Sequence, residues 1–514
     1  MNAIELSLFS SRISAICEEM GAVLQRSAFS PNIKDRLDFS CAVFDANGEL
    51  CAQAAHIPVH LGSMAYAMRD IVSQVEWQVG DMLILNDPFL GGTHLPDVTV
   101  ITPVFVDNQL MAFIANRAHH ADIGASSPGS MPVSHTLEEE GMVIPPSKLL
   151  RHGKLDEPFM QALLDNVSNP LQSQGDFTAQ ISANQLGVTR LQALIEATEA
   201  SRFTSALMEL NDYAQRLADS ALSSIPEGEY RFTDYMDDDG AEQQQIPVTV
   251  CITVRSGSIS VDFAGTAPQV KGNINCSLSV AAAAVYYVFR CLMPANTPAC
   301  EGSFRAIKIS APEGCLLNAK RPAAVAAGNV ETSTRVVDVI MGALVQVIPE
   351  SMAAASHGSM NNVAMGHRGA KNWDYYETIG GGMGASMKAS GLSARQTHMT
   401  NTLNTPVESL ESHYPIRISR YEIRKDSGGE GFHKGGDGII REYEFLEETQ
   451  VTLLTERRTN QPWGMANGKP GEAGENLLNG NALPPKICFA VKQGDKLTIK
   501  TPGGGGYTPD NSVT

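Results

Sequence analysis

Apolar residues near the start of the chain recur at intervals of three and four positions, which is the spacing of one face of an α-helix. The series is Leu6, Phe9, Ile13, Ile16, Met20 and Leu24. It predicts a helix that ends near Ser27. The pattern then changes to two strand-like segments, residues 38–44 and 49–54, on either side of Asn47-Gly48. Since this dipeptide favours a tight turn, we expect a β-hairpin after the helix.

The rest of the chain mixes both kinds of periodicity. Strands are predicted at residues 82–85, 98–106, 110–115, 230–235, 248–254, 258–263, 417–424, 438–445, 450–456 and 496–501. Helices are predicted at residues 177–224, with breaks near Gly187 and Ala200, and at residues 279–292 and 332–347. These elements indicate an α+β fold, a large mixed arrangement of several subdomains with several β-sheets and packed helices.

The length of the chain favours more than one domain. At 514 residues it exceeds what a single hydrophobic core usually organises. We divide it into residues 1–225, with the first helix, the early strands and the long helical segment; residues 226–348, with a β-hairpin and helices; and residues 349–514, which are rich in glycine and strands.

Composition narrows the class of protein. Hydrophobic residues make up 43% of the chain and charged residues 18%, as in a folded globular protein. The net charge of −18, without a basic patch, argues against nucleic-acid binding. Neither the N-terminus nor the longest apolar run, residues 280–289, has the pattern of a signal peptide or a membrane span. The nine scattered cysteines are typical of reduced thiols, so we expect a cytoplasmic protein.

The segment NDPFLGGTHLPD, residues 86–97, concentrates donor side chains and residues that bend the backbone. Gly91-Gly92 permits a sharp bend and Pro96 restricts φ, so His94 and Asp97 are expected at the entrance of the strand that follows. Such a rigid bend suits a preorganised site. The alternative is structural: Asp97 caps the strand and His94 is an ordinary buried histidine.

A second candidate segment, NRAHHADIG at residues 116–124, follows another predicted strand. His119 and His120 point to opposite sides of an extended chain, so at most one should face the cavity of His94 and Asp97. Asp38 begins a further strand and adds a possible carboxylate. Two imidazoles with one or two carboxylates suit Zn²⁺, Mn²⁺ or Fe²⁺, with one position open for water or substrate.

Other motifs carry less chemistry. GMANGKPG departs from a phosphate-binding loop in spacing and has Pro470 where a hydroxyl residue is needed. The glycine runs at residues 380–384 and 503–506 lack a dinucleotide fingerprint, and we interpret them as tight turns near crowded backbone. The acidic run Asp237-Asp238-Asp239-Gly240 lacks the glutamate that closes a calcium loop, so we expect a solvated hairpin turn.

Several blocks of the chain, in order, resemble the B subunit of the hydantoinase/5-oxoprolinase/acetone-carboxylase family. Besides the two donor segments they are DRLDFSCAVFDANGELCAQAAHIPVHLGSM, VDFAGTAPQVKGNINCS, GNVETSTRVVDVIMGAL, NTPVESLESHYPIRI, RKDSGGEGFHKGGDG and TPGGGGY. The resemblance covers nearly the whole chain. It implies a divalent metal, zinc or manganese, and the family's ligands map onto His94, Asp97 and His119, with Asp38 close by.

The resemblance also implies functional neighbours and a partner. His120, Asp122 and Glu140 match segments with catalytic, substrate-binding or supporting roles, and Asp38 is a candidate proton acceptor. An A-type partner subunit is expected to bind ATP and to phosphorylate a carbonyl oxygen of the substrate. The assembly is expected to be a hetero-oligomer, a heterotetramer or larger. This division agrees with the lack of a phosphate-binding loop in the present sequence.

Three functions are compatible with these observations. The first is ATP-dependent hydrolysis of a small cyclic amide, such as hydantoin, N-methylhydantoin, 5-oxoproline or a related lactam. The second is ATP-dependent carboxylation of a ketone, as in acetone or acetophenone carboxylases, although those B-type subunits are expected to be longer. The third is a non-catalytic scaffold for the ATP-binding partner.

Overall fold

The structure is a computed structural model that describes residues 1–55, 57–369 and 371–509. Ala370 and residues 510–514, which belong to the predicted third domain, lie outside the described residues. The fold is α+β, as predicted, with helices packed on several separate sheets. The helices are α1 (Ala3–Ser27), α2 (Pro31–Lys34), α3 (Pro58–Ser73), α4 (Glu157–Leu164), α5 (Pro170–Thr198), α6 (Ala200–Leu222), α7 (Leu278–Cys291), α8 (Ser333–Leu344) and α9 (Val407–His413).

The strands form separate sheets along the chain. In the N-terminal part they are β1 (Phe39–Asp45), β2 (Leu50–Ala55), β3 (Met82–Leu85), β4 (Asp97–Val106), β5 (Gln109–His119), β6 (Ser147–Arg151) and β7 (Lys154–Leu155). The middle part contains β8 (Gly228–Asp238), β9 (Gln244–Arg255), β10 (Ser258–Asp262) and β11 (Ile307–Ser310). The C-terminal part contains β12 (Asn362–His367), β13 (Trp373–Glu377), β14 (Ile416–Arg424), β15 (Gly438–Phe445), β16 (Thr449–Leu454), β17 (Met465–Ala466), β18 (Glu475–Leu478), β19 (Asn481–Ala482), β20 (Lys486–Val491), β21 (Lys496–Lys500) and β22 (Tyr507–Thr508).

The first sheet, with strand order β2-β1-β5-β4-β3-β6-β7, brings the donor segments together. The predicted hairpin is confirmed: β1 pairs with β2, and Gly48 takes a positive φ of 80° in the turn. Strand β5 lies between β1 and β4 and is antiparallel to both. In this register Asp97 at the start of β4 is opposite His119 at the end of β5. The His119 amide also donates to the backbone oxygen of Asp38, at 3.0 Å.

Helix α5 differs from its prediction at one of two expected breaks. The helix continues through Gly187, so the predicted break there is wrong; a Cβ at this position would lie 2.5 Å from the Met20 sulfur of α1. This glycine therefore allows two helices to approach closely. The break near Ala200 is confirmed, because Glu199 takes a positive φ of 68° between α5 and α6.

A buried ladder of amides fixes α5 on the first sheet. Gln180 donates to the Val98 oxygen at 2.9 Å, and Asn184 donates to the Val100 oxygen at 3.0 Å. Asn116 of β5 donates in turn to the side chain of Asn184, at 2.8 Å. Because a shift of one helical turn would leave these buried amides unpaired, the ladder specifies the position of α5 over β4.

The glycine runs of the C-terminal part lie against crowded backbone, as interpreted, but they do not form tight turns. None of the glycines at residues 380–384 and 503–506 has a positive φ. They are needed for contact between backbones: a Cβ on Gly382 would lie 1.9 Å from the Gly436 oxygen, and a Cβ on Gly504 would lie 2.0 Å from the Met383 oxygen. Backbone hydrogen bonds of 2.8–3.1 Å join these segments, including Gly429 to Gly504 and Gly382 to Pro502. We call residues 380–384, 428–436 and 503–506 together the glycine stack.

The acidic run at the end of β8 forms the hairpin connection to β9, as predicted, but it is buried rather than solvated. Asp237 and Asp239 are 3% and 1% exposed. Asp237 accepts backbone hydrogen bonds from Arg458 and Asn460, at 2.6 and 2.8 Å. The run therefore joins the middle sheet to the C-terminal part. In the described part of the chain, no helix is both long and apolar enough to cross a bilayer.

Candidate metal centre

The bend before β4 holds its donors rigidly, as the sequence predicts. Gly91 has a φ of 106°, and a Cβ on Gly92 would lie 2.3 Å from the Asn86 oxygen. Neither position therefore accommodates another residue without strain. Arg117, reaching over from β5, donates to the Gly91 oxygen at 3.1 Å. The bend is held from both sides, and His94 follows it directly.

Three donors converge at this bend. His94 Nε2 and His119 Nδ1 each lie 3.2 Å from the same carboxylate oxygen, Asp97 Oδ1. One donor atom from each of the three residues lies within 4.8 Å of the others. All three side chains are at most 3% exposed. The structure thus brings His119 together with His94 and Asp97, a pair that spacing alone left divided between a site and an ordinary bend.

The atoms of His94 and His119 that face Asp97 can be joined to it by a proton or by a metal ion. His94 Nδ1 lies 3.1 Å from the Ala326 carbonyl, which can only accept, so Nδ1 carries the proton. A neutral His94 therefore turns the Nε2 lone pair toward the carboxylate, an arrangement that needs a proton or a metal ion between the two atoms. His119 Nε2 is also buried without a hydrogen-bond partner among the described residues. The donor set fits Zn²⁺ or Mn²⁺.

The second oxygen of Asp97 has its own partners. Thr93 Oγ1 donates to Oδ2 at 2.6 Å and Asn329 Nδ2 donates at 3.1 Å, while His60 Nε2 of α3 lies 3.2 Å away. Burial opposes a charge here, yet the imidazoles of His94 and His60 hold the pKa of Asp97 well below its usual value. Asp97 is therefore an oriented carboxylate with one oxygen supported and the other presented to two histidines.

His60 and Asn329 were not among the candidates from the sequence. His60 lies in the HIPVHLGSM block, and Asn329 lies in the GNVETSTR block. Both blocks contributed to the family resemblance, and that was the only signal that could have found them. Asn329 is 232 residues away from Asp97, so no local spacing connects the two.

The walls of the centre enclose very little space. The cavity has a volume of about 20 Å³ and is lined by the donors and by Asp38, Tyr376, Thr378 and Thr400, among others. The Tyr376 ring stacks on His119 with ring centroids 4.9 Å apart. The Arg36 guanidinium lies over the same Tyr376 ring, 4.8 Å from its centroid. Such a volume holds about one water molecule.

Asp38 lies on the cavity wall but outside the set of three donors. Its Oδ2 is 3.7 Å from the buried guanidinium of Arg36. Its backbone oxygen accepts the His119 amide hydrogen. The structure therefore places Asp38 beside the candidate ligands, where its carboxylate can face water in the cavity.

His120 and Asp122 lie away from the cavity. His120 points to the opposite face of β5, as predicted, where Nε2 is 2.9 Å from Gln180 Oε1 and the ring packs on Phe177. Asp122 accepts backbone hydrogen bonds from Gly124 and from Ser168, at 2.9 and 2.5 Å. Both residues support the segment that follows β5.

Glu140 supports the centre from behind His94. Its Oε1 accepts hydrogen bonds from the Val325 and Ala326 amides, at 2.8 and 2.9 Å, and the Ala326 carbonyl in turn holds His94. Burial raises the pKa of Glu140 to about 7. The position of the His94 ring therefore depends on Glu140 through one backbone segment.

Comparison with known proteins gives relatives over the full length of the chain. The family model described as Hydantoinase B/oxoprolinase matches residues 2–510. An uncharacterised protein of Methanocaldococcus jannaschii is 41% identical over 517 residues, covering 99% of this chain and 91% of the relative. The 5-oxoprolinase 1 of Arabidopsis thaliana is 39% identical over 547 residues, covering 98% of this chain. The present chain spans only 42% of the Arabidopsis protein.

Two solved structures have the same fold. The ATP-dependent caprolactamase from Pseudomonas jessenii superimposes with a TM-score of 0.92 at 26% identity, covering 99% of this chain and 91% of that one. Nucleotide-free acetone carboxylase superimposes with a TM-score of 0.87 at 16% identity, covering 99% and 76%, which is a likeness of fold alone. With the family model matched from residue 2 to residue 510, the chain belongs to the hydantoinase B/oxoprolinase family.

Proposed function

We propose that the chain is the metal-site subunit of an ATP-dependent cyclic amidohydrolase, which opens a hydantoin, 5-oxoproline or a related lactam. The convergence of His94 and His119 on one oxygen of Asp97, in a buried cavity, is the observation that carries this proposal. Family membership and the likeness to a caprolactamase support cyclic amides as the substrate class.

We propose His94, Asp97 and His119 as the residues that hold the metal, Zn²⁺ or Mn²⁺. Bound there, a divalent ion would supply Lewis acidity and lower the pKa of water from about 15.7 toward ~7. The chain's own residues prepare the site for it. Thr93, Asn329 and His60 hold the far oxygen of Asp97, and Ala326 fixes the tautomer of His94.

We propose Asp38 as the acceptor of the proton that water loses when it attacks the phosphorylated substrate. Its carboxylate lines the cavity and is 6% exposed, so bulk water competes little for the proton. Water adds to the carbon of the phosphorylated imidate: the C–O bond forms as the C=N π pair moves onto nitrogen, and the water proton passes to Asp38 and from there to the ring nitrogen. The C–N bond then breaks to give an amine and an acyl phosphate, and a second water releases phosphate and leaves the carboxylate. Arg36, 3.7 Å away, keeps this carboxylate at the wall.

The remaining predicted site residues receive positioning roles in this proposal. Glu140 acts through Ala326 on His94, whereas His120 and Asp122 act on the segment after β5. None of these three side chains lines the cavity. We therefore expect their substitution to affect the hydrolysis rate through the geometry of His94 and His119 rather than through lost contact with the substrate.

We propose that ATP binds to a separate A-type subunit in a hetero-oligomer. The sequence has no phosphate-binding loop of its own, and the Arabidopsis 5-oxoprolinase, of which this chain spans 42%, is much longer. The additional length of that relative is where we expect the corresponding ATP-binding part. The activated substrate would then have to pass from the partner to the cavity beside Asp97, which at about 20 Å³ holds only a water molecule and would have to widen to admit the substrate.

The deciding experiment is co-expression with an A-type subunit, followed by a screen for ATP consumption and product. The panel is hydantoin, N-methylhydantoin, 5-oxoproline, caprolactam, and acetone or acetophenone with bicarbonate. Ring opening that requires both chains, ATP and Zn²⁺ or Mn²⁺ supports the proposal. Carboxylation of a ketone would replace it with the carboxylase function. Full activity of a metal-free complex with His94→Ala would identify the chain as a scaffold.

A further inference from the structure

The side-chain amide of Asn329 has a defined orientation. It lies 3.1 Å from Asp97 Oδ2. Since a carboxylate can only accept a hydrogen bond, the atom facing it must be the NH₂ group. The amide oxygen, Oδ1, must therefore point elsewhere. It is buried and has no hydrogen-bond partner among the described residues.

An amide oxygen in this position is costly unless something donates to it. Asn329 is 2% exposed and lines the cavity of about 20 Å³. A buried acceptor without a partner destabilises the folded chain. The volume accommodates one water molecule, and two histidines that line the same cavity, His94 and His119, have Nε2 atoms without a hydrogen-bond partner among the described residues. Water is thus the donor that both the size and the chemistry of the cavity allow.

Asn329 is mounted on a rigid turn. It belongs to a π-helical turn, Gly328–Thr332, that leads into α8, and such turns often occur at functional sites. A Cβ on Gly328 would lie 1.7 Å from the Asn275 oxygen, so the turn packs directly on a neighbouring backbone. Thr332 Oγ1 donates to the backbone oxygen of Ile274, and Ser333 Oγ donates to the backbone oxygen of Asn329 at 2.7 Å.

Glu331 ties the same turn to the opposite wall of the cavity. Its Oε1 accepts from the Met360 amide at 2.8 Å and from Asn362 Nδ2 at 2.7 Å. Asn362 Oδ1 then accepts from the Tyr376 hydroxyl at 2.7 Å, and Tyr376 stacks on His119. The position of Asn329 relative to His119 is therefore fixed by a short chain of buried contacts through Glu331, Asn362 and Tyr376.

We infer that Asn329 orients the attacking water: its NH₂ group holds Asp97, while its Oδ1 accepts one hydrogen of the water that adds to the activated carbon. The other water hydrogen is the one that passes to Asp38. A single amide thereby couples the orientation of a ligand carboxylate to the orientation of the nucleophile. This inference rests on the proposed function and assigns a residue to its hydrolytic step.

The first test is a pair of crystal structures of the full chain loaded with Zn²⁺, wild type and Asn329→Leu. The leucine has nearly the same shape but cannot accept a hydrogen bond. We expect an ordered water about 2.8 Å from Asn329 Oδ1 in the wild type and no water at that position in the variant. Direct coordination of Zn²⁺ by Oδ1, or a protein donor bonded to it, would overturn the inference.

The second test uses the co-expressed complex, the cyclic amide with the highest rate in the screen, and saturating Zn²⁺. Loss of support for Asp97 alone should weaken Zn²⁺ binding about 10–100-fold and be rescued by excess metal. Loss of water orientation should lower the hydrolysis rate about 100-fold even when elemental analysis confirms full Zn²⁺ occupancy. Full rescue by metal would refute the orienting role.

Controls separate this inference from the proposed function and from misfolding. Asn329→Ala removes the amide without added bulk, and it should behave like Asn329→Leu. Asn211→Ala is the matched control, because Asn211 on α6 is 3% exposed, against 2% for Asn329, and its Oδ1 accepts from the Gly302 amide, away from the cavity. It should keep the wild-type rate. A wild-type chain that binds neither Zn²⁺ nor Mn²⁺ would refute the proposed function itself, whereas Asn329 variants with wild-type rates would refute only the inference.

Discussion

At the residue scale, the two carboxylate oxygens of Asp97 have different partners. Oδ1 faces His94 and His119, whereas Oδ2 is held by Thr93, Asn329 and His60. A carboxylate held on one side presents the other with little freedom to rotate, so less entropy is lost when a cation binds. Burial opposes a charge on Asp97, but the imidazoles of His94 and His60 still hold the pKa of this carboxyl well below its usual value.

The three-donor set predicts a specific pattern of metal binding. His94→Ala should weaken Zn²⁺ binding more than about 100-fold, because it removes one of three donors. His413→Ala is the control: it removes an exposed histidine at the end of α9, and its Zn²⁺ affinity should stay within about threefold of wild type. Competition with a chelator measures both. Equal affinities in the two variants would exclude His94 as a ligand.

The sequence predicted the part of this centre that is local. His94 and Asp97 share one bend, and alternation along β5 correctly separated His119 from His120. His60 and Asn329 were missed because they reach Asp97 from α3 and from the turn before α8. Contacts across such distances in sequence depend on how the elements pack, and no periodicity within one element encodes them.

At the element scale, the residues of β3 and β15 agree with the prediction, while α3 was missed entirely. Gly62 within α3 lowers helix propensity, but its missing Cβ, which would lie 2.6 Å from the Ala283 Cα, lets α3 pack on α7. Tertiary packing therefore overrides local preference at the helix that carries His60.

The turn before α8 makes stability depend on pH. Burial, with Glu456 nearby, raises the pKa of Glu331 from 4.5 to about 7, while Lys486 acts in the opposite direction. A carboxyl with a raised folded-state pKa contributes stability that is fully present below pH 4.5 and is lost as the pH rises through 7. Glu331→Gln should lack this loss. Relative to wild type, its free energy of unfolding should rise between pH 4.5 and 7, by on the order of 3 kcal/mol.

Urea denaturation at several pH values measures this difference. Glu196→Gln, on an exposed position of α5, is the control and should show no change in pH dependence. A difference between Glu331→Gln and wild type that stays constant from pH 4 to 8 would show that Glu331 is not the titrating group.

At the scale of the whole molecule, buried charges join the middle and C-terminal parts. Arg457 binds Asp234 of β8, at 2.6 Å, and Asp338 of α8. Lys486 of β20 lies 2.6 Å from Glu456, which also contacts Arg335. The side chains of these residues are 0–11% exposed. Lys486 also contacts Asp238, which is 22% exposed. The division into residues 1–225, 226–348 and 349–514 stays a prediction, and any boundary near residue 348 is crossed by these ion pairs.

Breaking this network should be costly. Arg457→Met keeps most of the side-chain volume but leaves Asp234 and Asp338 with a missing partner, and it should lower the free energy of unfolding by roughly 3–5 kcal/mol. Lys271→Met removes an exposed ion pair with Glu242 and should leave stability unchanged. Urea denaturation compares the two. Equal stability of both variants would show that the buried pairs do not bind the two parts together.

The backbone hydrogen bonds of the glycine stack should determine how fast its amide hydrogens exchange with deuterium. Its segments have little regular secondary structure, and their composition is that of a linker. Yet their peptide N–H groups, such as those of Gly429, Gly504 and Gly505, are bonded to other backbones, and residues 503–506 are buried. Exchange requires the bonds to open. The glycine stack, whose composition is typical of a flexible linker, should therefore be among the slowest segments to take up deuterium.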